Sequence, residues 1–277
     1  MRQSALERLL ALNREFYQSF AEPFSETRSR LQSGVLRALV GLPPQASILD
    51  LGCGNGELAA ELQRRGHSGP YVGLDSSEPL LELARRQPIP PSWRFLQADL
   101  TADGWPMQPL EGLAAQLRAT GMALVQVSPS AESEGPGSGR AAQPGRPGTF
   151  QQVFAFAVLH HIPGDELRTR LLRQVHDLMA PGGRLALSVW NFLASPRLRR
   201  RILPWREAGL AEGELDPGDY LLDWRHGGRG LRYVHHFTEP ELAELAAASS
   251  FGVADGYLSD GESGVLGRYQ VWEPAAW

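Results

Sequence analysis

The sequence predicts an α/β protein with a doubly wound, mostly parallel sheet, N-terminal helices and an antiparallel strand pair near the C-terminus. Three observations support this prediction. Short apolar runs alternate with helical patterns between residues 46 and 101, a buried strand resumes near residue 150, and two strand-like runs follow residue 250. Strands that alternate with helices over short connections are typical of parallel sheets covered by helices.

The first strands and helices have clear local signals. ASILDLG predicts a buried strand, and the helix GELAAELQRRG follows it. PYVGLD predicts the second strand, and Ser76 or Ser77 is a suitable N-cap for the helix SEPLLELARRQ. WRFLQADL predicts the third strand.

The later elements follow the same alternation. VFAFAVLHHI predicts a buried strand, residues 165–180 a helix ending at Pro181-Gly182-Gly183, and GRLALSVWNF a further strand. RYVHHFT predicts a strand and EPELAELAAASSF a helix. GVADGYLSD and GRYQVWE predict the antiparallel pair that closes the sheet.

The same patterns suggest a domain organisation. Residues 1–45 are predicted to form a helical cap of two helices, and residues 46–277 one domain with an insertion at 102–149. Glycine, proline, serine and alanine dominate residues 128–149, which predicts disorder there.

Composition excludes several classes of protein. The 277 residues include 27 arginines, no lysine and a single cysteine, Cys53, so neither an intramolecular disulfide nor a cysteine-based zinc cluster can form. No apolar run reaches the ~18 residues that cross a bilayer, and the N-terminus lacks the apolar core of a signal peptide. We therefore expect a cytoplasmic protein without metal or membrane binding.

The loop after the first strand predicts a cofactor site. Gly52, Gly54 and Gly56 occupy every second position, whereas a dinucleotide fold spaces its glycines G-x-G-x-x-G. Asp50 precedes the loop, where its charge would oppose a pyrophosphate and favour a cation. Asp75 ends the second strand, where a carboxylate in nucleotide-binding folds typically accepts hydrogen bonds from a ribose diol. Asp99 ends the third strand. Together these acids describe an adenosine with a cationic amino-acid tail.

The chain resembles the class I S-adenosyl-L-methionine-dependent methyltransferases in five ordered segments: DLGCGNG, GLDSSEPLLELAR, QADL, FAFAVLHHIP and LMAPGGRLALSVW. The resemblance implies a Rossmann-like fold, an enzyme and that cofactor. It places Cys53 as a small loop residue rather than a nucleophile. The cofactor-binding residues that it implies are Arg28, Asp50, Gly52, Cys53, Gly54, Asp75, Ser76, Asp99, Leu100 and Ala157.

Segments outside this core are similar to the tRNA wobble-uridine carboxymethyl methyltransferases. The similar residues are Phe24, Ser25, Thr27, Arg28, Ala157, His160, His161, Val189, Trp190, Arg232, Tyr233, His235 and Phe237. The resemblance implies a methyl ester formed on a carboxymethyluridine, with tRNA as partner; eukaryotic members also work with a small activator subunit. On this reading His160, His161, Tyr233 and His235 orient the substrate.

A cluster of arginines follows Trp190. RLRRRILPWR (197–206) holds five arginines. We expect the tryptophans to stack on bases and the arginines to contact phosphates. The residues expected to bind the substrate are Trp190, Arg199, Arg200, Trp205 and Arg232. The alternative is a solvated helix face, since several acids follow closely.

The chemistry leaves two classes of acceptor open. A carboxylate, with a pKa of ~4, needs no general base, whereas a phenol or amine would need His160 or His161. The alternatives to a tRNA methyltransferase are a small-molecule O-, N- or C-methyltransferase and a non-catalytic methyltransferase-like binding subunit. The acceptor atom, the role of the insertion and the oligomeric state stay open.

Overall fold

The computed structural model describes residues 1–27, 30–103, 105 and 150–275. Within these residues the main sheet has seven strands: β1 Ile48–Leu51, β2 Tyr71–Asp75, β3 Arg94–Gln97, β4 Phe150–Phe156, β5 Met179–Trp190, β9 Phe251–Ser259 and β10 Gly267–Pro274. Their order is β3-β2-β1-β4-β5-β10-β9, and only β10 runs against its neighbours. The predicted doubly wound sheet with an antiparallel C-terminal pair is confirmed.

Helices cover the sheet on both faces. Their bounds are α1 Gln3–Ser19, α2 Ala21–Glu26, α3 Ser33–Ala38, α4 Glu57–Arg64, α5 Glu78–Ala84, α6 Asp165–Leu178, α7 Pro196–Arg199 and α8 Glu239–Ala248. Ser77 caps α5 by accepting a hydrogen bond from the Leu80 N–H, which satisfies one of the free donors of the first turn. Thr238 and Glu241 form a capping box at the start of α8.

The core lies on the two faces of the sheet. All four residues of β1 are buried, as expected for a strand covered on both sides. On one face Leu171 and Val175 of α6 pack with Leu242 of α8, and on the other Leu58 and Leu62 of α4 pack below the glycine loop. This packing holds the carboxyl ends of the parallel strands in one rigid edge.

A second sheet lies beside the first. It consists of the antiparallel strands β6 Ile202–Leu203, β7 Asp219–Trp224 and β8 Gly230–His235. The sequence predicted only β8. It missed β7 because Asp219 and Asp223 interrupt the apolar pattern, although both carboxylates are buried beside cationic partners.

Other differences from the predicted elements are small. Three helices, rather than two, lie within residues 1–45, and α6 ends at Leu178 because β5 begins at once with Met179. Most of the predicted insertion, including the stretch 128–149, lies outside the described residues. Among the helices that the structure describes, none has the length and apolar run needed to cross a membrane.

Candidate active site

A cavity of about 350 Å³ opens where β1, β2 and β4 end. The loops that follow β1, β2 and β3 form one side, and α1 with the turn after β4 forms the other. Ligands of open α/β sheets bind at the carboxyl ends of the strands, and this volume is that of a small-molecule site.

The glycine loop presents backbone to the cavity. Gly52 has φ +67° and Gly54 φ +54°, a region that residues with a side chain rarely adopt. A Cβ atom at Gly52 would lie 2.6 Å from Cγ2 of Val158, so a side chain there would have to displace Val158. The loop therefore allows a ligand to approach the main chain closely.

Asp50 lies at the base of the cavity. Its side chain is 3% exposed and accepts a hydrogen bond of 2.6 Å from the Tyr71 hydroxyl. Burial raises the pKa of Asp50 from its ordinary 3.8 to about 7; the Tyr71 hydrogen bond opposes that rise, and the nearby Asp75 adds to it. A ligand cation at this position would stabilise the ionised carboxylate.

Asp75 connects the first two loops. Its two carboxylate oxygens accept hydrogen bonds from the N–H groups of Gly54 and Ser77, both at 2.9 Å. Burial raises the pKa of Asp75 although these backbone donors oppose the rise. Each oxygen keeps a free lone pair for a ligand hydroxyl. Ser76, which also lines the cavity, is exposed.

Asp99 and Leu100 form the third wall. One oxygen of Asp99 accepts hydrogen bonds from the backbone and hydroxyl of Thr101, and the other contacts Arg14 of α1 at 3.3 Å. Leu100 packs at the edge of the main core. This wall therefore joins α1 to the end of β3.

Ala157 and Cys53 complete the cofactor side. Ala157 has φ +58°, a strained conformation for alanine, and its N–H points to the carbonyl and hydroxyl oxygens of Ser188, both at 3.0 Å. Cys53 is buried, and burial raises the pKa of its thiol well above the usual range. A thiol held neutral is a poor nucleophile, so Cys53 is consistent with a small loop residue that fills space.

These residues fit S-adenosylmethionine. Asp50 supplies a buried acid for a cationic tail, Asp75 two oxygens for a ribose diol, and Gly52 and Gly54 the free main chain. Asp99, Leu100 and Ala157 line the same cavity. All the predicted cofactor residues in the described part of the chain therefore meet at one place; Arg28 lies outside the described residues.

His161 lies on the opposite wall, held by residues that the sequence analysis missed. Its Nε2 is 2.8 Å from the Tyr17 hydroxyl, and its Nδ1 is 3.1 Å from the Tyr233 carbonyl. Asn13 donates from Nδ2 to the carbonyls of His161 and Tyr233 at 3.0 and 3.2 Å. Tyr17 and Asn13 lie in α1, about 150 residues before His161, and no local motif marks them.

His160 faces away from the cavity. Its side chain is fully buried, its Nδ1 accepts a hydrogen bond of 3.4 Å from the Trp190 N–H, and its ring stacks on that of Trp190. Trp190 lines the cavity. His160 thus supports Trp190, and it does not reach the acceptor side as predicted.

Arg232 is enclosed by aromatic rings. Its guanidinium lies 4.6 Å from the Trp190 ring centre, 5.1 Å from that of Phe16 and 5.6 Å from that of Trp224. It is 5% exposed, and its Nε and Nη1 have no hydrogen-bond partner among the described residues. Burial lowers the pKa of Arg232, and a hydrogen bond to Tyr17 opposes that effect.

Tyr233 and His235 lie in a buried network behind this wall. The Tyr233 hydroxyl donates to Asp219 at 2.7 Å and accepts from Arg168 at 3.0 Å. His235 lies between Asp219 and Glu241, at 2.7 and 2.6 Å. The prediction that these two side chains orient the substrate is corrected, because their polar atoms bond to protein groups and neither lines this cavity.

The arginine cluster divides between surface and core. Arg199 and Arg200 are exposed, as are Arg197 and Arg206. Trp205 is 8% exposed and packs with Leu9, Leu12 and Leu221. It is a core residue, so the prediction that it stacks on a base is wrong.

Comparison with known proteins gives the family. A family model described as a methyltransferase domain matches residues 24–254. A trans-aconitate 2-methyltransferase from Azoarcus sp. (strain BH72) is 30% identical over 250 residues, which cover 86% of this chain and 90% of that protein. A match to a methyltransferase from Encephalitozoon cuniculi spans only 47% of that protein.

Two further likenesses are more distant. The tRNA methyltransferase 9B of Bos taurus is 22% identical over 79% of this chain and 39% of that protein. The 1,6-didemethyltoxoflavin-N1-methyltransferase of Burkholderia thailandensis, solved with its substrate and S-adenosylhomocysteine, superposes with a TM-score of 0.53 at 20% identity. That superposition covers 99% of this chain and 89% of that one, and it shows the fold.

Proposed function

This chain belongs to the methyltransferase domain family and uses S-adenosylmethionine, and we propose that its acceptor is a carboxylate, which becomes a methyl ester. The observation that carries the proposal is the Arg232 guanidinium, buried among aromatic rings. Among the described residues no carboxylate forms an ion pair with it, and its Nε and Nη1 have no hydrogen-bond partner. An uncompensated buried charge costs several kcal/mol, so this cation favours an anion as ligand.

The chemistry of a carboxylate suits this site. When bound, S-adenosylmethionine supplies a sulfonium methyl group that an oxygen nucleophile can displace. A carboxylate is already ionised near neutral pH, so the protein needs only to align it. Arg232 lies behind Trp190 and Tyr17 on the cavity wall, where its charge attracts the acceptor. Alignment of this kind contributes about 7–11 kcal/mol to catalysis in favourable cases.

The electrostatics of the two sides also match the reaction. Asp50 and Asp75 line the side proposed for the cationic donor, whereas Arg232 lies behind the side proposed for the anionic acceptor and does not itself line the cavity. The charges of donor and acceptor cancel as they react, and the apolar residues around Trp190 and Phe24 exclude water from that step.

A small acid is the first candidate acceptor. The Azoarcus relative is named for trans-aconitate, a tricarboxylate, and the likeness extends over nearly the whole length of both chains.

A carboxylate carried by tRNA is the second candidate, and one observation favours it. Arg197, Arg199, Arg200 and Arg206 are exposed, and none forms an ion pair with another described residue. Arg201 of the same cluster lies near enough to Arg232 to lower its pKa. The basic cluster therefore adjoins the acceptor wall, where phosphates would reach it.

Labelled methyl transfer tests both candidates. S-adenosylmethionine with a labelled methyl group is incubated with trans-aconitate or with bulk tRNA, and the products are treated with mild alkali. Label that alkali releases supports a methyl ester, and the substrate that carries it identifies the acceptor class. Label that resists alkali in both reactions contradicts the carboxylate proposal.

A further inference from the structure

A chain of hydrogen bonds crosses the acceptor wall. The Arg232 guanidinium forms a hydrogen bond with the Tyr17 hydroxyl. Nε2 of His161 lies 2.8 Å from the same hydroxyl. Nδ1 of His161 lies 3.1 Å from the Tyr233 carbonyl oxygen. A carbonyl can only accept, so Nδ1 of His161 carries a proton.

The same contacts determine the state of Nε2. The contacts fit the tautomer with the proton on Nδ1, in which the lone pair of Nε2 accepts the Tyr17 O–H. This arrangement is that of a base that acts through a phenol.

The pair is held rigidly at the cavity. Both Tyr17 and His161 line it. The Asn13 amide fixes the His161 carbonyl from the side of α1, and Arg168 fixes the next carbonyl, that of Ile162, at 2.8 Å from the side of α6. Arg168 is 1% exposed and also bonds the Tyr233 hydroxyl. Rigid support of this kind is what a catalytic group requires.

Methyl transfer to a carboxylate makes no use of this base. We infer that Tyr17 is a catalytic residue which gives the site a second activity, methylation of a phenol-type hydroxyl acceptor. The acceptor proton passes to the Tyr17 oxygen while the Tyr17 proton passes to Nε2 of His161. The acceptor oxygen bonds to the methyl carbon, the carbon–sulfur bond breaks with its electron pair left on sulfur, and His161 later releases the proton to water. The inference rests on the proposed function only in that both reactions use the same cavity.

One probe separates the two activities. 4-Hydroxybenzoate offers a carboxylate and a phenol in one molecule, so the ester is released by alkali and the ether is not. We expect the native protein to form both. Tyr17→Phe and His161→Gln should lower the ratio of ether to ester at least about tenfold, since general-base catalysis contributes about 10²–10⁴-fold. Tyr220→Phe, in β7 and outside this wall, is the matched control and should leave the ratio unchanged.

The outcomes distinguish the two proposals. Ester without ether, or an unchanged ratio in Tyr17→Phe, overturns the inference and leaves the proposed function intact. Ether without ester supports the inference and contradicts the proposed function. If neither product forms, ¹⁵N NMR of His161 with S-adenosylhomocysteine bound provides the test. A neutral ring protonated on Nδ1, with an Nε2 resonance that shifts in Tyr17→Phe, supports the inference. An imidazolium overturns it.

Discussion

The two sides of the cavity are built in different ways. The donor side consists of three short loops, each directly after a strand, and its acids Asp50, Asp75 and Asp99 lie within 50 residues of one another. The acceptor side combines α1, the turn after β4, Trp190 and β8, so that Tyr17, His161 and Arg232 come from distant parts of the chain. The donor side is acidic, and the acceptor side holds a buried cation.

The difference shows how each side obtains its specificity. On the donor side, we expect the backbone and the sheet edge to position the ligand and the carboxylates to add charge. On the acceptor side, side chains from helix and strand must be held together by packing and by Asn13 and Arg168. We therefore expect substitutions on the two sides to separate cofactor binding from acceptor use.

The largest effect is expected from Asp75→Ala. Its carboxylate bonds Gly54 and Ser77 and offers its remaining lone pairs to the cofactor. Loss of hydrogen bonds to a charged group costs about 1.5–3 kcal/mol, so the cofactor Kd should rise about 10–100-fold in calorimetry. Glu78→Ala, an exposed pair with Arg85 on α5, is the control. An unchanged Kd would contradict the assignment of this side.

Arg232→Gln should affect the acceptor side alone. Without the guanidinium, kcat/KM for the carboxylate acceptor should fall about tenfold or more, because the buried positive charge behind Trp190 and Tyr17 no longer attracts the carboxylate. The cofactor Kd should stay unchanged. The free energy of unfolding should not fall, since removal of an uncompensated buried charge is often neutral or stabilising. Equal losses of cofactor and acceptor binding would show that the two sides are not separate.

A pH dependence is expected from Asp50. Its pKa in the folded protein is about 7, and a cationic ligand favours the ionised form, so cofactor affinity should fall as the pH drops below about 7, by at most about tenfold per pH unit. Asp50→Asn should remove this dependence in titrations between about pH 6 and about pH 8. A dependence that survives in Asp50→Asn would assign it to another group.

The same pKa makes a prediction for the ligand-free protein. The folded state holds the Asp50 proton more tightly than the unfolded chain, whose pKa is near 3.8. Stability should therefore decline as the pH rises from about 4 to about 7 and level off above that value. Asp50→Asn should unfold at a higher temperature than the native protein above pH 7, which scanning calorimetry can measure.

The smallest effect is expected from the exposed arginines. Replacing Arg197, Arg199, Arg200 and Arg206 together by glutamine should change kcat/KM for a small acid by no more than about twofold and the stability by about 0.5 kcal/mol or less. With a tRNA acceptor, the same variant should bind more weakly and show a smaller salt dependence. A large loss with the small acid would place these arginines inside the acceptor site.

Some parts of the site could be predicted from local sequence. Gly52, Gly54, Asp50 and Asp75 lie within two strand-to-loop transitions, where a parallel sheet itself brings them together. Tyr17 and Asn13 carry no such signal, because a tyrosine and an asparagine in an amphipathic helix resemble any half-buried pair. Trp205 shows the opposite error, since a tryptophan beside arginines is typical of a base-stacking site but is buried here.

The sequence by itself determined the sheet, its glycine loop and the acidic side where we expect the cofactor. Each of these depends on residues close together in the chain and on a strand order that alternation predicts. Only the tertiary structure decided the acceptor side. Tyr17 and His161 meet at the cavity, and Arg232 lies behind them. The physical reason is that these contacts join residues more than 70 positions apart, through packing of α1 against β8 that no local pattern encodes.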